Sequence, residues 1–230
     1  MSGVTTLITA LDMDTEAEAI DLAARCGACA WFKVGLQLYT RLGPAIVTRL
    51  QESGKEVFLD LKLHDIPNTV AKAAGAAAEL GAGLLTIHAL AGRDAIAAAR
   101  GALEGTQTRL LAVTVLTSHT DDTLRNELGI PESAAVAVPR LARMAVEAGA
   151  HGIVCSPLEI AAVREAVGPD AVIVTPGIRP AWAAANDQAR IMTPADAQSA
   201  GADYIVVGRP ITHHDDPAEA ANLILGELAQ

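Results

Sequence analysis

Eight short aliphatic runs recur along this 230-residue chain, each followed by a stretch of helical or turn-like character. The runs are Thr5 to Leu11, Ala30 to Val34, Glu56 to Leu61, Leu84 to His88, Arg109 to Leu116, Gly152 to Cys155, Ala171 to Thr175, and Tyr204 to Val207. Amphipathic, Ala-rich stretches separate them, among them Thr15 to Arg25, Pro44 to Gln51, Asn68 to Leu80, Asp94 to Leu103 and Leu158 to Val167. A strand-then-helix unit repeated this often specifies a closed parallel barrel more readily than an open sheet. The length agrees, since such barrels close at about 250 residues. Hydrophobic residues make up 51% of the chain but aromatic ones only 3%. The core must therefore be built from Ala, Val, Leu and Ile, as the interior of a parallel barrel prefers. The expected architecture is one (β/α)8 TIM barrel, a single domain over residues 1–230.

No linker, sequence repeat or shift of composition divides the chain. Asp14 is placed to cap the first helix, and Gly54 and Gly81 to end the second and third. Two segments break the alternation. Ser118 to Pro131 has room for a short extra helix, and Pro176 to Met192 reads as a long binding loop or lid carrying Arg179, Asp187, Gln188 and Arg190.

Several classes of function are excluded. The apolar stretch Leu80 to Gly92 is only 13 residues long and contains His88, against the roughly 20 residues of a membrane span. A strand-like run begins at Thr5, with no basic segment and signal-type core before it, so a cytoplasmic protein is expected. A formal net charge of −10 argues against general binding to nucleic acid or anionic membranes, and an anionic ligand would need a local positive pocket.

In a parallel barrel the chemistry lies at the C-terminal ends of the strands. Charges gather at those ends here: Asp12 after the first run, Lys33 in the second, Asp60 and Lys62 in the third. Strand alternation puts Phe58, Asp60 and Lys62 on one face and the aliphatic Val57, Leu59 and Leu61 on the other. The aliphatic face should meet the helices, so Asp60 and Lys62 should point inward. By the same alternation Asp12 shares a face with Ile8 and Ala10, and Lys33 with Trp31. Two lysines and two aspartates then converge on the barrel mouth, with Asp65 close by. Desolvating them costs several kcal/mol per ion unless they pair, which favours a functional array over a structural salt-bridge network.

Other polar groups are read more plainly. Cys26 and Cys29 form a C-x-x-C without a second pair, and Cys155 stands apart, so the pair is expected to be small buried residues at a helix-to-strand junction. His64 and His88 are expected to be satisfied polar residues lining the pocket, and His213-His214 to belong to a polar stretch before the last helix. No metal site is expected. Gly208-Arg209 follows the eighth run, and Pro176-Gly177-Ile178-Arg179 the seventh, where barrels often hold phosphate. A phosphate monoester ligand is therefore expected.

The segment Phe58-Leu59-Asp60-Leu61-Lys62-Leu63-His64-Asp65-Ile66-Pro67-Asn68-Thr69 closely resembles the D-x-K-x-x-D signature of orotidine 5'-monophosphate decarboxylases. The resemblance extends over the whole chain through Ala10-Leu11-Asp12, Phe32-Lys33-Val34-Gly35, Val115-Leu116-Thr117-Ser118, Val154-Cys155-Ser156, Thr175-Pro176-Gly177-Ile178-Arg179, Asn186-Asp187-Gln188 and Ile205-Val206-Val207-Gly208-Arg209. It implies a homodimer with active sites shared across the interface. Lys33, Asp60 and Lys62 would come from one subunit and Asp65 from the other, with Ile66 and Thr69 accompanying Asp65. It further implies Lys62 as proton donor, Asp12 and Lys33 on the ribose hydroxyls, and Thr117 on the pyrimidine. Gln188, Gly208 and Arg209 would hold the phosphate beneath the loop carrying Arg179. The implied reaction needs no cofactor and converts orotidine 5'-monophosphate to uridine 5'-monophosphate in de novo pyrimidine biosynthesis.

Two rivals remain. A magnesium-dependent sugar-phosphate decarboxylase or aldolase of the same suprafamily shares the D-x-K-x-x-D strand, but carries an acidic residue where this chain has Lys33. A non-catalytic phosphate-ligand sensor would need no proton donor.

Overall fold

A computed structural model describes residues 5–183 and 192–229. All eight runs form strands: β1 (Thr6–Ala10), β2 (Trp31–Gly35), β3 (Glu56–Leu63), β4 (Leu84–His88), β5 (Arg109–Val113), β6 (Gly152–Val154), β7 (Val172–Thr175) and β8 (Tyr204–Val207). Each pairs in parallel with its sequence neighbours, and β1 pairs with β8, so the barrel closes. The runs misjudge two strand ends by more than one residue. β5 stops at Val113 rather than Leu116, because β6 has only three residues to pair with it. β3 runs on to Leu63, past the expected Leu61.

The alternation within strands sorts side chains into two layers. Ile8, Ala10, Phe58, Leu84, Leu111, Val174 and Val206 fill the barrel interior. Leu7, Phe32, Val57, Leu59, Leu85, Leu110 and Ile205 face outward into the larger core beneath the helices. Trp31 and Tyr204, the first residues of β2 and β8, meet edge to face with ring centroids 5.5 Å apart and close the N-terminal end. Gly83 leaves room for that plug, since a Cβ there would stand 2.6 Å from the Trp31 ring.

The helices bury apolar stripes against the strands. Glu16–Arg25 is capped by Thr15, not by the expected Asp14: Thr15 Oγ1 accepts from the Glu18 amide, and the Glu18 carboxylate accepts from the Thr15 amide. This reciprocal pair satisfies two amides at the helix start. Asp14 instead meets Gln37 and Arg41. Gly54 ends helix Ala45–Glu52 and Gly81 follows helix Pro67–Glu79, both with positive φ as expected. At each, the next two amides turn back to the last helical carbonyls, Gly54 to Gln51 with Lys55 to Leu50, and Gly81 to Ala78 with Ala82 to Ala77. Asp121–Asn126 is the short extra helix expected after β5. No described helix is long and apolar enough to cross a membrane.

Candidate active site

Four of the sequence-selected residues form one chain of opposite charges at the barrel mouth. Lys33 Nζ donates to Asp12 Oδ1 at 2.9 Å and lies 3.9 Å from Asp60 Oδ2. Lys62 Nζ donates to the same Asp60 oxygen at 2.8 Å. Asp60 is buried, and the Lys33 side chain is only 12% exposed. Removing Asp60 would leave two ammonium groups facing each other with little water to screen them. Gly35 belongs to the same arrangement. A Cβ at that position would stand 2.7 Å from Lys33 Nζ and 3.2 Å from Asp12 Oδ1, so glycine leaves the space in which the two ends meet.

The backbone at Lys62 is unusual. Among the described residues Lys62 is the one non-glycine with positive φ, at 49°. A left-handed conformation costs a non-glycine residue on the order of 1–3 kcal/mol and persists only where its surroundings impose it. Here it accompanies a break in the β3–β4 ladder, between the pairs Leu59↔Leu85 and Leu63↔Ile87. Thr86, which nothing in the sequence singles out, sits opposite the break. Its hydroxyl accepts from the Lys62 amide at 2.8 Å and donates to Asp60 Oδ1 at 3.0 Å.

Lys33, Asp60 and Lys62 form one wall of a cavity of about 260 Å³. Val113, Val115, Leu116, Thr117, Val154, Cys155 and Pro176 line much of the remainder. The cavity is thus charged on one side and mainly apolar on the other. A second concavity of about 280 Å³ is lined by Arg179, Arg209, His213 and His214 with Trp182, Ala183 and Pro210. Arg179 is buried and Arg209 partly buried at the start of helix Arg209–Thr212, with Gly208 as its cap. Two arginines thus line one concavity in a chain of net charge −10. His213 and His214 are thus part of this wall rather than merely a polar lead-in to the last helix. The edge-to-face contact of His214 with Trp182 joins the stretch after β7 to the stretch after β8.

Other expected positions fall elsewhere. Asp65 and Thr69 are exposed and do not join the charge array within this chain, and the Asp65 carboxylate accepts from the Ile66 amide. Gln188 lies outside the described residues, as do Asn186, Asp187 and Arg190. His64 and His88 lie against each other, ring centroids 5.7 Å apart, and neither lines the charged cavity. His88 is not satisfied as expected: its Nδ1 is buried without a hydrogen-bond partner among the described residues. Burial lowers its pKa, and neighbouring His64 and Lys62 lower it further. The cysteines are free and buried, with Cys26 near the C-terminal end of the first helix. Burial pushes the Cys26 thiol up to about 11 and that of Cys155 to about 12, so none is poised as a thiolate nucleophile.

Known proteins resemble this chain along most of its length. The family model described as Orotidine 5'-phosphate decarboxylase / HUMPS family matches residues 5–224. An orotidine 5'-phosphate decarboxylase of Heliobacterium modesticaldum is 50% identical over 97% of this chain and 96% of its own length. One from Geobacter sulfurreducens is 54% identical over 86% of this chain and 84% of its own. The crystal structure of orotidine 5'-phosphate decarboxylase from Lactobacillus acidophilus superposes with a TM-score of 0.88 at 40% identity, covering 98% of this chain and all of that one. With the charged strand β3, the closed barrel and near-complete coverage in agreement, this chain belongs to the orotidine 5'-phosphate decarboxylase / HUMPS family.

Proposed function

We propose that this chain is a decarboxylase of orotidine 5'-monophosphate, releasing carbon dioxide and uridine 5'-monophosphate in pyrimidine biosynthesis without a cofactor. The observation that carries the reading is the Asp12–Lys33–Asp60–Lys62 array on the wall of a half-apolar cavity at the open end of the barrel. Loss of carbon dioxide from C6 leaves an electron pair in the plane of the ring, where the ring's π system cannot spread it. A fixed ammonium is the group that such a site needs. Lys62, held by Asp60, stabilises the charge as it forms and then delivers a proton to C6. A preorganised donor of this kind typically contributes about 3–4 kcal/mol in a site that excludes water.

The remaining roles are those that the family resemblance implies. Asp12 and Lys33 hold the ribose hydroxyls, Thr117 meets the pyrimidine, and Arg179, Gln188, Gly208 and Arg209 take the phosphate. Binding energy at the phosphate, remote from the scissile bond, serves to close the site over the ring. The protein acts as a cytoplasmic homodimer of one-domain subunits. The partner subunit's Asp65 and Thr69 complete each site. Residues 64–69 support this as an uninterrupted exposed run in which Ile66 is 66% exposed, an apolar side chain suited to an interface. Lys33 favours this reaction over a magnesium-dependent one, because its ammonium stands where a metal-binding carboxylate would be needed.

Mixing the protein with orotidine 5'-monophosphate and recording the ultraviolet spectrum tests the reading. Conversion to the uridine spectrum, unaffected by a chelator, is expected. A stable complex without conversion would indicate a sensor, and chelator sensitivity would indicate the magnesium chemistry.

A further inference from the structure

The break in the β3–β4 ladder assigns a task to Thr86. Between the pairs Leu59↔Leu85 and Leu63↔Ile87, β3 advances four residues while β4 advances two. Asp60, Leu61 and Lys62 therefore stand opposite the single residue Thr86. A β3 bulged in this way cannot satisfy the Lys62 amide through the regular ladder, and a buried amide without a partner is costly. The Thr86 hydroxyl takes the place of the missing carbonyl, accepting from the Lys62 amide at 2.8 Å. With one lone pair so occupied, the hydroxyl directs its one proton at Asp60 Oδ1, 3.0 Å away. The other oxygen of that carboxylate holds Lys62 Nζ. One hydroxyl thus grips Lys62 at both ends, its backbone directly and its ammonium through Asp60. Thr86 is fully buried and does not line the cavity, so it acts only through these two residues.

We infer that Thr86 is a positioning residue whose hydroxyl holds Lys62 in its left-handed backbone conformation and aims its ammonium at the reacting carbon. The inference rests on the reading of Lys62 as proton donor. Thr86→Val keeps the side-chain shape and removes the hydroxyl, whereas Thr86→Ser keeps the hydroxyl and removes only a methyl group. Displacing a reacting group by about 1 Å costs roughly a hundredfold in rate. Thr86→Val is therefore expected to lower kcat by about tenfold to a hundredfold while the Kd for uridine 5'-monophosphate stays within about twofold. Thr86→Ser should restore kcat to within about threefold of the unmodified enzyme.

A valine variant with kcat within about twofold of the unmodified enzyme would overturn the inference. So would a serine variant as slow as the valine one, which would assign the effect to methyl packing. Parallel loss of nucleotide binding and kcat would show a collapsed pocket rather than a misplaced lysine, and would equally overturn it. If the valine chain does not fold, Thr86→Ala carries the same comparison against Thr86→Ser. Lys62→Ala, measured alongside, separates the two readings: if it turns over normally the proton-donor assignment falls, whereas an inactive Lys62→Ala beside an unimpaired Thr86→Val removes only the Thr86 inference.

Discussion

Asp60 Oδ2 accepts a 2.8 Å hydrogen bond from Lys62 Nζ, although the two residues belong to one strand and Leu61 alone separates them. Residues two apart on a strand share a face, and the bulge then folds the longer side chain back onto the shorter. Lys62→Ala should lower turnover by about a hundredfold to a thousandfold, since it removes a charge matched to the transition state. Uridine 5'-monophosphate binding should remain measurable by calorimetry. Stability should change by about 1 kcal/mol or less, because the Lys62 side chain is 30% exposed and Asp60 keeps Lys33 and Thr86 as partners. Near-normal decarboxylation by this variant would remove Lys62 from the chemistry.

Arg209 lies in the wall of the second concavity, away from the charged cavity's lining. Arg209→Ala should weaken the nucleotide by about 2 kcal/mol, the worth of a hydrogen bond to a charged group, which is roughly thirtyfold in kcat/KM. The nucleoside, lacking phosphate, should lose little. Equal losses for both substrates would make Arg209 a structural residue.

The exposed Asp65 contacts its own Ile66 amide but not Lys62 of the same chain. If the site draws Lys62 and Asp65 from different subunits, Lys62→Ala and Asp65→Ala chains should each be nearly inactive alone. Unfolded together in equal amounts and refolded, about half of the dimers are mixed, and each mixed dimer has one site with both defects and one with neither. Activity should recover to about a quarter of that of unmodified enzyme refolded in the same way. No recovery would mean that both residues serve one subunit's site, or that no such dimer forms.

His88 and His151 both have pKa values below the ordinary histidine value of 6.5, in each case chiefly through burial. The neutral His151 ring also accepts from the Leu110 amide at 2.9 Å. The unfolded chain therefore binds more protons than the folded one below about pH 6.5, and stability falls as the pH drops through that region. Thermal melting between pH 7.5 and about 5.5 should show Tm declining toward acid, and less steeply in a His88→Asn, His151→Asn double variant. An unchanged slope would place the acid sensitivity on other groups.

Much of this protein was legible without coordinates, for reasons of periodicity. Parallel strands buried on both faces read as aliphatic runs whatever surrounds them, so eight strands and the closed barrel were visible. The two-residue repeat then placed Asp60 and Lys62 inward together and Lys33 beside them, since that repeat depends only on backbone geometry. The sequence determined which residues meet at the mouth. Tertiary structure decided how they are held. The bulge in β3 arises from a register against β4, a relation between segments distant in sequence, and it alone makes a buried threonine on β4 a partner of both Asp60 and Lys62. Likewise the contact of His214 with Trp182, and its place beside Arg179 and Arg209, exists only because closure of the barrel brings the chain after β7 against the chain after β8.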